Sequence, residues 1–216
     1  MELKDEERIE IARTIIDNAN LDVSYLAING MATVVACSGL MANSTPVIIG
    51  SMLIATLLSP IAETALALTS FNRQGILRGL KTLSTGVVLV MTIAYLYGHF
   101  FPNVEETNRM LARTAPGIFD FIIAFCGGIA GAISLLFKRY TGVMVGVGIA
   151  TALVPPLSTA GILFGKGDIH LGFKAFELAA INITFILIAN YLVFKYFKLT
   201  YKTNELKNTR VRGACH

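Results

Sequence analysis

The chain has 216 residues, of which 54% are hydrophobic and only 15% are charged. Soluble domains usually carry about 25% charged residues, so this composition argues against an ordinary soluble globular protein. The formal net charge of +4 does not indicate a nucleic-acid partner, because the charged residues lie at the chain ends and between apolar runs.

The first predicted element is an amphipathic helix over Glu6–Ala19. It places Ile9, Ala12 and Ile16 on one stripe. We expect this helix to lie on the membrane surface or to pack beneath the membrane helices.

Six apolar runs follow, each close to the 20 or so residues that a membrane-spanning helix needs. None of them alternates as a barrel strand does. The sequence therefore predicts an all-α polytopic protein of the cell membrane, with six transmembrane helices over Leu21–Met41, Pro46–Ser70, Leu83–Phe101, Gly117–Phe137, Thr141–Phe164 and Lys174–Phe197.

Most of the 18 lysines and arginines fall on one side of these spans. The opposite side holds only Arg109, Arg113, Lys166 and Lys174. Because cytosolic loops carry the excess of basic residues, both termini are predicted to be cytosolic.

The two halves of the chain resemble each other weakly. Gly50 and Pro60 are ten residues apart in the second span, as are Gly146 and Pro156 in the fifth. Three spans per half is an odd number, so the second half would enter from the opposite face as an inverted repeat. The predicted organisation is an N-terminal cytosolic helix (1–20), a first three-helix repeat (21–101), an extracytoplasmic loop (102–116), a second repeat (117–197) and a basic cytosolic tail (198–216).

Prolines at equivalent places predict breaks in the second and fifth spans. Pro60 lies in one, and Pro155 and Pro156 lie in the other. Proline lacks an N–H and clashes with the carbonyl four residues earlier. Ser59 is predicted to be the N-cap of a new half-helix that starts at Pro60. Half-helix ends would then meet near the midplane, where freed carbonyls could bind a cation and freed amides an anion.

Four polar residues near the breaks are candidates for solute contacts: Ser59, Glu63, Thr151 and Ser158. Glu63 is the deepest acid, and a buried membrane acid is a functional candidate by default. Two roles stay open for it, either on the pathway or in an ion pair with an arginine such as Arg73 or Arg78.

Asp22 and Asp120 stand at the entrances of the first and fourth spans. They could cap those helices or pair with Arg13 and Arg113. A polar stripe on the first span is interpreted as helix packing; it consists of Asn29, Thr33 and Cys37.

No metal-ligand spacing, nucleotide motif or nucleophile motif occurs in the sequence. We therefore expect neither an enzyme nor a cofactor nor a metal site.

Residues around both breaks resemble a known family, the bacterial and archaeal membrane domain described as domain of unknown function 389. The resemblance rests mainly on residues 49–55 with Ser59-Pro60-Ile61, and on residues 148–157 with their double proline. It extends over about Asp22 to Phe197. Thr56 stands where many relatives have proline, which makes the first break single. The resemblance implies the architecture and no particular substrate.

The leading hypothesis is a channel or transporter for a small ion or solute, with cations slightly favoured because of Glu63. Its pathway would run between the second and fifth spans. The alternatives are a non-transporting lipid-binding or assembly module and, with little support, an intramembrane enzyme. The lipid bilayer and a small solute are the expected partners, and the small interior of six helices favours a homo-oligomer.

Overall fold

The computed structural model describes residues 5–137 and 153–201, and every regular element within these ranges is an α-helix. In chain order the helices are α1 (Asp5–Asn18), α2 (Val23–Met41), α3 (Thr45–Ile54), α4 (Leu58–Thr69), α5 (Arg73–Phe100), α6 (Asn108–Leu111), α7 (Ile118–Leu136), α8 (Val154–Lys166) and α9 (Ile169–Tyr196).

Helices α2, α5, α7 and α9 are long and apolar enough to cross a membrane. Helices α3 and α4 meet at an angle of 46° and would together form a fifth, bent span. The chain is therefore an all-helical, multi-pass membrane protein. Most of the predicted fifth span before Val154 lies outside the described residues, so the described part contains only its second half, α8.

The third and sixth spans begin well before the apolar runs that predicted them. Helix α5 begins at Arg73 and α9 at Ile169, where the side chains of Asn72 and Asp168 cap the first turns. Each helix has 28 residues, or about 42 Å, against a hydrocarbon thickness of about 30 Å. Their first turns can therefore extend beyond the hydrocarbon layer.

Helix α1 packs beneath the membrane helices, against α4 and α7. Its predicted apolar stripe is buried at Ala12 and Ile16, which are 0% and 7% exposed. The partners of this stripe include Leu66 of α4, Leu136 of α7 and Phe194 of α9. The predicted packing of this helix against the membrane helices is thus observed.

Glycines allow the close approach of several helix pairs. A Cβ atom at Gly98 of α5 would overlap the backbone of Ile162 in α8, and one at Gly165 would overlap the backbone of α5. A Cβ atom at Gly128 of α7 would lie 2.8 Å from the Ala189 Cβ and 3.0 Å from the Ile186 Cα of α9. Small residues at such contacts let membrane helices pack backbone to backbone.

Candidate functional site

The second span is interrupted for three residues between α3 and α4. Helix α3 ends at Ile54, and Ala55 is extended, with φ −65° and ψ 140°. The Ala55 N–H still donates to the Ser51 carbonyl at 3.2 Å, which closes the last turn of α3. Helix α4 then begins at Leu58. The break therefore lies before Pro60 in the chain, and the proline itself belongs to the new helix.

A buried asparagine of the neighbouring α2 holds this break. Asn29 is 0% exposed, and its Oδ1 accepts a hydrogen bond from the Thr56 N–H at 3.1 Å. Its Nδ2 donates to the Thr56 hydroxyl at 2.8 Å and to the Tyr25 carbonyl at 2.9 Å. Because the Thr56 N–H is used in this way, it does not donate to the Met52 carbonyl, as it would in a continuous helix.

Prolines occupy the first turns of both half-helices. Pro60 is the third residue of α4, and Pro155 and Pro156 are the second and third of α8. First-turn N–H groups have no partner inside a helix, so proline there removes a donor that would otherwise stay unsatisfied. In lipid such an unsatisfied group costs several kcal/mol. The prolines therefore make each half-helix start compatible with burial.

The predicted N-cap at Ser59 is wrong. Ser59 is the second residue of α4, and its N–H donates to the Thr56 carbonyl at 3.2 Å. The N-cap position is held by Leu57, and α4 has no side-chain cap. A cap is less necessary here because Pro60 already lacks one of the first-turn donors.

A cavity of about 390 Å³ opens beside the break. Most of its described lining comes from the second span, at positions 52–53, 55–59 and 62. Leu153 and Val154, at the start of α8, also line it, so both half-helix starts border one cavity. The remaining described lining residues are Ile15 and Asn18 of α1 and Leu135 of α7.

Apolar side chains join the two half-helix starts next to this cavity. Leu57, Ile61 and Leu157 belong to one buried cluster with Leu153 and Val154. Leu57 is 2% exposed, and Ile61 and Leu157 are fully buried. Apolar side chains from both half-helix starts therefore share one buried cluster beside the cavity.

Glu63, one turn beyond Pro60, forms an ion pair with Arg78 of α5. Its Oε1 accepts from the Arg78 Nε at 2.5 Å, and the Arg78 Nη2 lies at the same distance. Glu63 is fully buried, whereas the Arg78 side chain is 46% exposed. Glu63 Oε2 has no hydrogen-bond partner within the described ranges. The pair that the sequence left open is thus formed, and it neutralises the deepest predicted acid.

The segment after α9 covers the turn between α4 and α5. The Thr69 hydroxyl donates to the Leu199 carbonyl at 2.9 Å, and the Tyr201 N–H donates to the Ser70 hydroxyl at 3.1 Å. Asn72 Nδ2 donates to the Tyr201 hydroxyl at 3.2 Å. Burial raises the pKa of Tyr201, and the nearby Arg78 opposes this effect. These bonds fix Leu199 and Tyr201 on this turn, close to the Glu63–Arg78 pair.

On α8, Ser158 and its neighbour Thr159 are both fully buried. Their hydroxyls have no hydrogen-bond partner among residues 5–137 and 153–201, although Cys37 of α2 lies beside Ser158. Neither residue is in the described lining of the cavity. Thr151, the other candidate from the fifth span, lies outside the described residues.

The two aspartates at the predicted span entrances, Asp22 and Asp120, accept hydrogen bonds from backbone N–H groups. Asp22 Oδ1 accepts from the Tyr25 N–H at 2.7 Å, and Asp120 Oδ2 accepts from the Gly117 N–H at 2.8 Å. Arg13 lies 3.8 Å from Asp17, one turn further along α1. Burial lowers the pKa of the Arg113 guanidinium, and the carboxylate of Asp120 partly offsets that effect.

The contact between Asn29 and Thr56 is the site feature that the sequence reasoning missed. The signal was present as the polar stripe of Asn29, Thr33 and Cys37, which was interpreted as packing. In the structure Thr33 donates to the Asn29 carbonyl within α2, while the Asn29 side chain reaches across to the broken span. Whether Asn29 packs between helices or holds the break becomes clear only once α2 and α3 are known to be neighbours.

Comparison with known proteins gives a relative and a family. Over 193 residues, or 89% of this chain, the sequence is 30% identical to the uncharacterized protein MJ0678 of Methanocaldococcus jannaschii. The chain covers 60% of the length of that relative. The family model described as Domain of unknown function (DUF389) matches residues 52–188, which include the α3–α4 break, the Glu63–Arg78 pair and all of α8. This chain therefore belongs to the family described as Domain of unknown function (DUF389).

Proposed function

We propose that this protein is a membrane channel or transporter for a small ion or solute, and that its pathway passes the α3–α4 break and the start of α8. The observation that carries the proposal is the break itself, which opens onto a cavity of about 390 Å³. Irregular backbone at membrane depth is tolerated only where it is buried in protein or lines a water-filled cavity. Here the interrupted residues line a cavity, and a specific side chain holds the interruption.

The proposed pathway residues are the two half-helix starts and the polar groups near them: Ser59, Pro60, Glu63, Thr151, Pro155, Pro156 and Ser158. In this proposal the buried apolar cluster that contains Leu57 and Leu157 is a closed constriction, of the kind that gates pores by excluding water. Glu63 supports the pathway indirectly, because its pair with Arg78 fixes α4 against α5.

We also propose the six-span inverted repeat with both termini in the cytosol. Helices α2 and α7 both have 19 residues, and α5 and α9 both have 28. Helix α4 packs on α5 and α9, while α8 packs on α9 and α5. This exchange of partners is what a pseudo-twofold axis in the membrane plane produces.

The proposed topology has a direct test in single-cysteine variants lacking the native Cys37, Cys126 and Cys215. Asn103→Cys lies in the exposed loop 102–116 and should react with a membrane-impermeant maleimide added outside intact cells. A cysteine at Asp17 of α1 should react only after the cells are opened. The reverse pattern would overturn the orientation.

Solute flux into proteoliposomes tests the proposed function. Purified full-length protein is compared with empty liposomes under separate K⁺, Na⁺, H⁺ and Cl⁻ gradients, and then with small neutral solutes. Gradient-driven flux that needs the protein supports transport. Folded, reconstituted protein that moves none of these solutes would favour the alternative, a non-transporting lipid-binding or assembly module. Cross-linking in the same liposomes would test the proposed homo-oligomer.

A further inference from the structure

We infer that the α3–α4 break binds a monovalent cation, coordinated by uncharged oxygen atoms rather than by Glu63. This inference rests on the proposed function and names the substrate class of the same site. It follows from the balance of acceptors, donors and charges around the cavity.

The end of α3 supplies acceptors. The Thr56 N–H donates to Asn29, and no described backbone N–H donates to the carbonyls of Met52 or Leu53. Both residues line the cavity, together with Ala55 and Thr56. Unpaired carbonyls at the end of a helix carry its partial negative charge, which favours a cation. Asn29 therefore keeps these acceptors free.

The half-helix starts supply few donors. Three first-turn positions have no N–H because they are prolines: Pro60, Pro155 and Pro156. The Ser59 N–H donates to the Thr56 carbonyl at 3.2 Å. The Leu157 N–H donates to the Leu153 carbonyl at 3.4 Å. The positive partial charge at the start of a helix resides on its unsatisfied N–H groups. With most of these groups missing or paired, the two starts are poor anion sites and repel a cation only weakly.

The uncharged side chains of the described lining favour a cation of one unit charge. Among the described lining residues the polar side chains are those of Asn18, Thr56 and Ser59, and none of them is charged. Divalent ions in proteins are held by carboxylates as well as neutral oxygens. Glu63 is not in that lining and is engaged by Arg78. Carbonyl and hydroxyl oxygens alone suit a singly charged ion, as they do in potassium-selective filters.

Ion-dependent thermal stability tests this inference without requiring flux. Purified full-length protein in detergent is titrated with KCl, RbCl or NaCl against N-methyl-D-glucamine chloride at constant ionic strength. A ligand that binds only the folded state raises Tm in a concentration-dependent way. We expect at least one of K⁺, Rb⁺ and Na⁺ to raise Tm, with no matching effect when chloride is replaced by gluconate.

Two variants locate the site. Thr56→Val removes one hydroxyl ligand but keeps the backbone bond to Asn29, and it should raise the half-saturating cation concentration about tenfold, the effect of one lost polar contact. Thr184→Val is its control, because Thr184 is exposed on α9 and bonds only to the Ala180 carbonyl of its own helix. Asn29→Leu should abolish the cation-dependent shift, whereas Asn190→Leu, another buried asparagine variant, should retain it.

The possible results separate this inference from the proposed function. A cation-dependent shift that is weakened by Thr56→Val and unchanged by Thr184→Val supports the site. A shift produced by chloride, by Ca²⁺ alone, or by no ion at all overturns it. If proteoliposomes still transport an anion or a neutral solute in that case, the cation assignment fails while the transport proposal stands.

Discussion

The α3–α4 break and the Glu63–Arg78 pair lie within about two helical turns of each other along the chain, but their polar groups are handled in opposite ways. At Glu63 a full charge is buried and neutralised by an arginine whose side chain is 46% exposed. At the break no charge is buried, and one asparagine diverts a backbone N–H so that carbonyls stay free. Glu63 therefore supports the packing of α4 on α5, whereas the uncharged backbone at the α3–α4 break is better suited to contact a solute.

The largest expected effect comes from removing one partner of the ion pair. Arg78→Met leaves Glu63 buried without its counter-charge, and breaking a buried pair in this way costs about 3 kcal/mol of stability or more. Heat-induced unfolding in detergent measures the loss. The double variant Glu63→Gln with Arg78→Met should recover much of it, since no unpaired charge remains. A double variant as unstable as Arg78→Met would contradict the assignment of the loss to the orphaned carboxylate.

A smaller effect is expected at the break. Asn29→Leu leaves the Thr56 N–H without its acceptor, at a cost of about 1–3 kcal/mol unless the helix heals by pairing with Met52. Hydrogen exchange distinguishes the two results, because the protection of residues 55–57 falls if the Thr56 N–H is left unpaired and rises if the helix heals. Asn190→Leu removes only a bond to the Ile186 carbonyl of its own helix and should leave residues 55–57 unaffected. Equal exchange in both variants would show that Asn29 does not hold the break.

Replacing Pro60 should change the free energy of unfolding less than a proline in the interior of a helix would. Pro60→Ala restores an N–H in the first turn of α4, where few acceptors exist, and relaxes the unfolded chain slightly. We expect a stability loss of about 1 kcal/mol, the lower end of the cost of a buried unpaired donor, compared with about 3 kcal/mol for proline in a helix interior. Thermal unfolding checks this. A loss near the larger figure would mean that Pro60 itself maintains the break.

The smallest expected effect concerns Tyr201, near the ion pair. Its pKa is raised by burial, so the folded protein keeps the phenol proton at a pH where the unfolded chain loses it. The stability contributed by this group is therefore complete below about pH 10, the pKa of an unperturbed tyrosine, and falls as the pH rises above that value. Tyr201→Phe should show a shallower fall between neutral and alkaline pH. Identical profiles would contradict the buried position of the phenol.

Local features of the sequence predicted much of the fold. Apolar length located α2, α5, α7 and α9, because a bilayer sets a minimum length for a spanning helix. The stripe of α1 was equally visible, and its burial against α4 and α7 was one of two open alternatives. Pro60 indicated a break in the second span, but it could not fix the position, because proline is tolerated inside the first turn of the new helix.

The rest of the site depends on which helices are neighbours. Arg78 pairs with Glu63 across the α4–α5 contact, and Asn29 reaches Thr56 across the α2–α3 contact. No spacing within one segment encodes either pair. The docking of Tyr201 on Ser70 joins residues 131 positions apart, which a single sequence does not reveal.

The central claim is that a solute passes the α3–α4 break, and chemical block of an engineered cysteine tests it most directly. Ser59→Cys is introduced into a background without Cys37, Cys126 and Cys215, and flux of the transported solute is measured before and after a methanethiosulfonate reagent. The control is the background with Cys126 restored, a native exposed position on α7 away from the described cavity lining. Labelling should block flux through Ser59→Cys and spare the control. Undiminished flux after complete labelling at position 59 would contradict it.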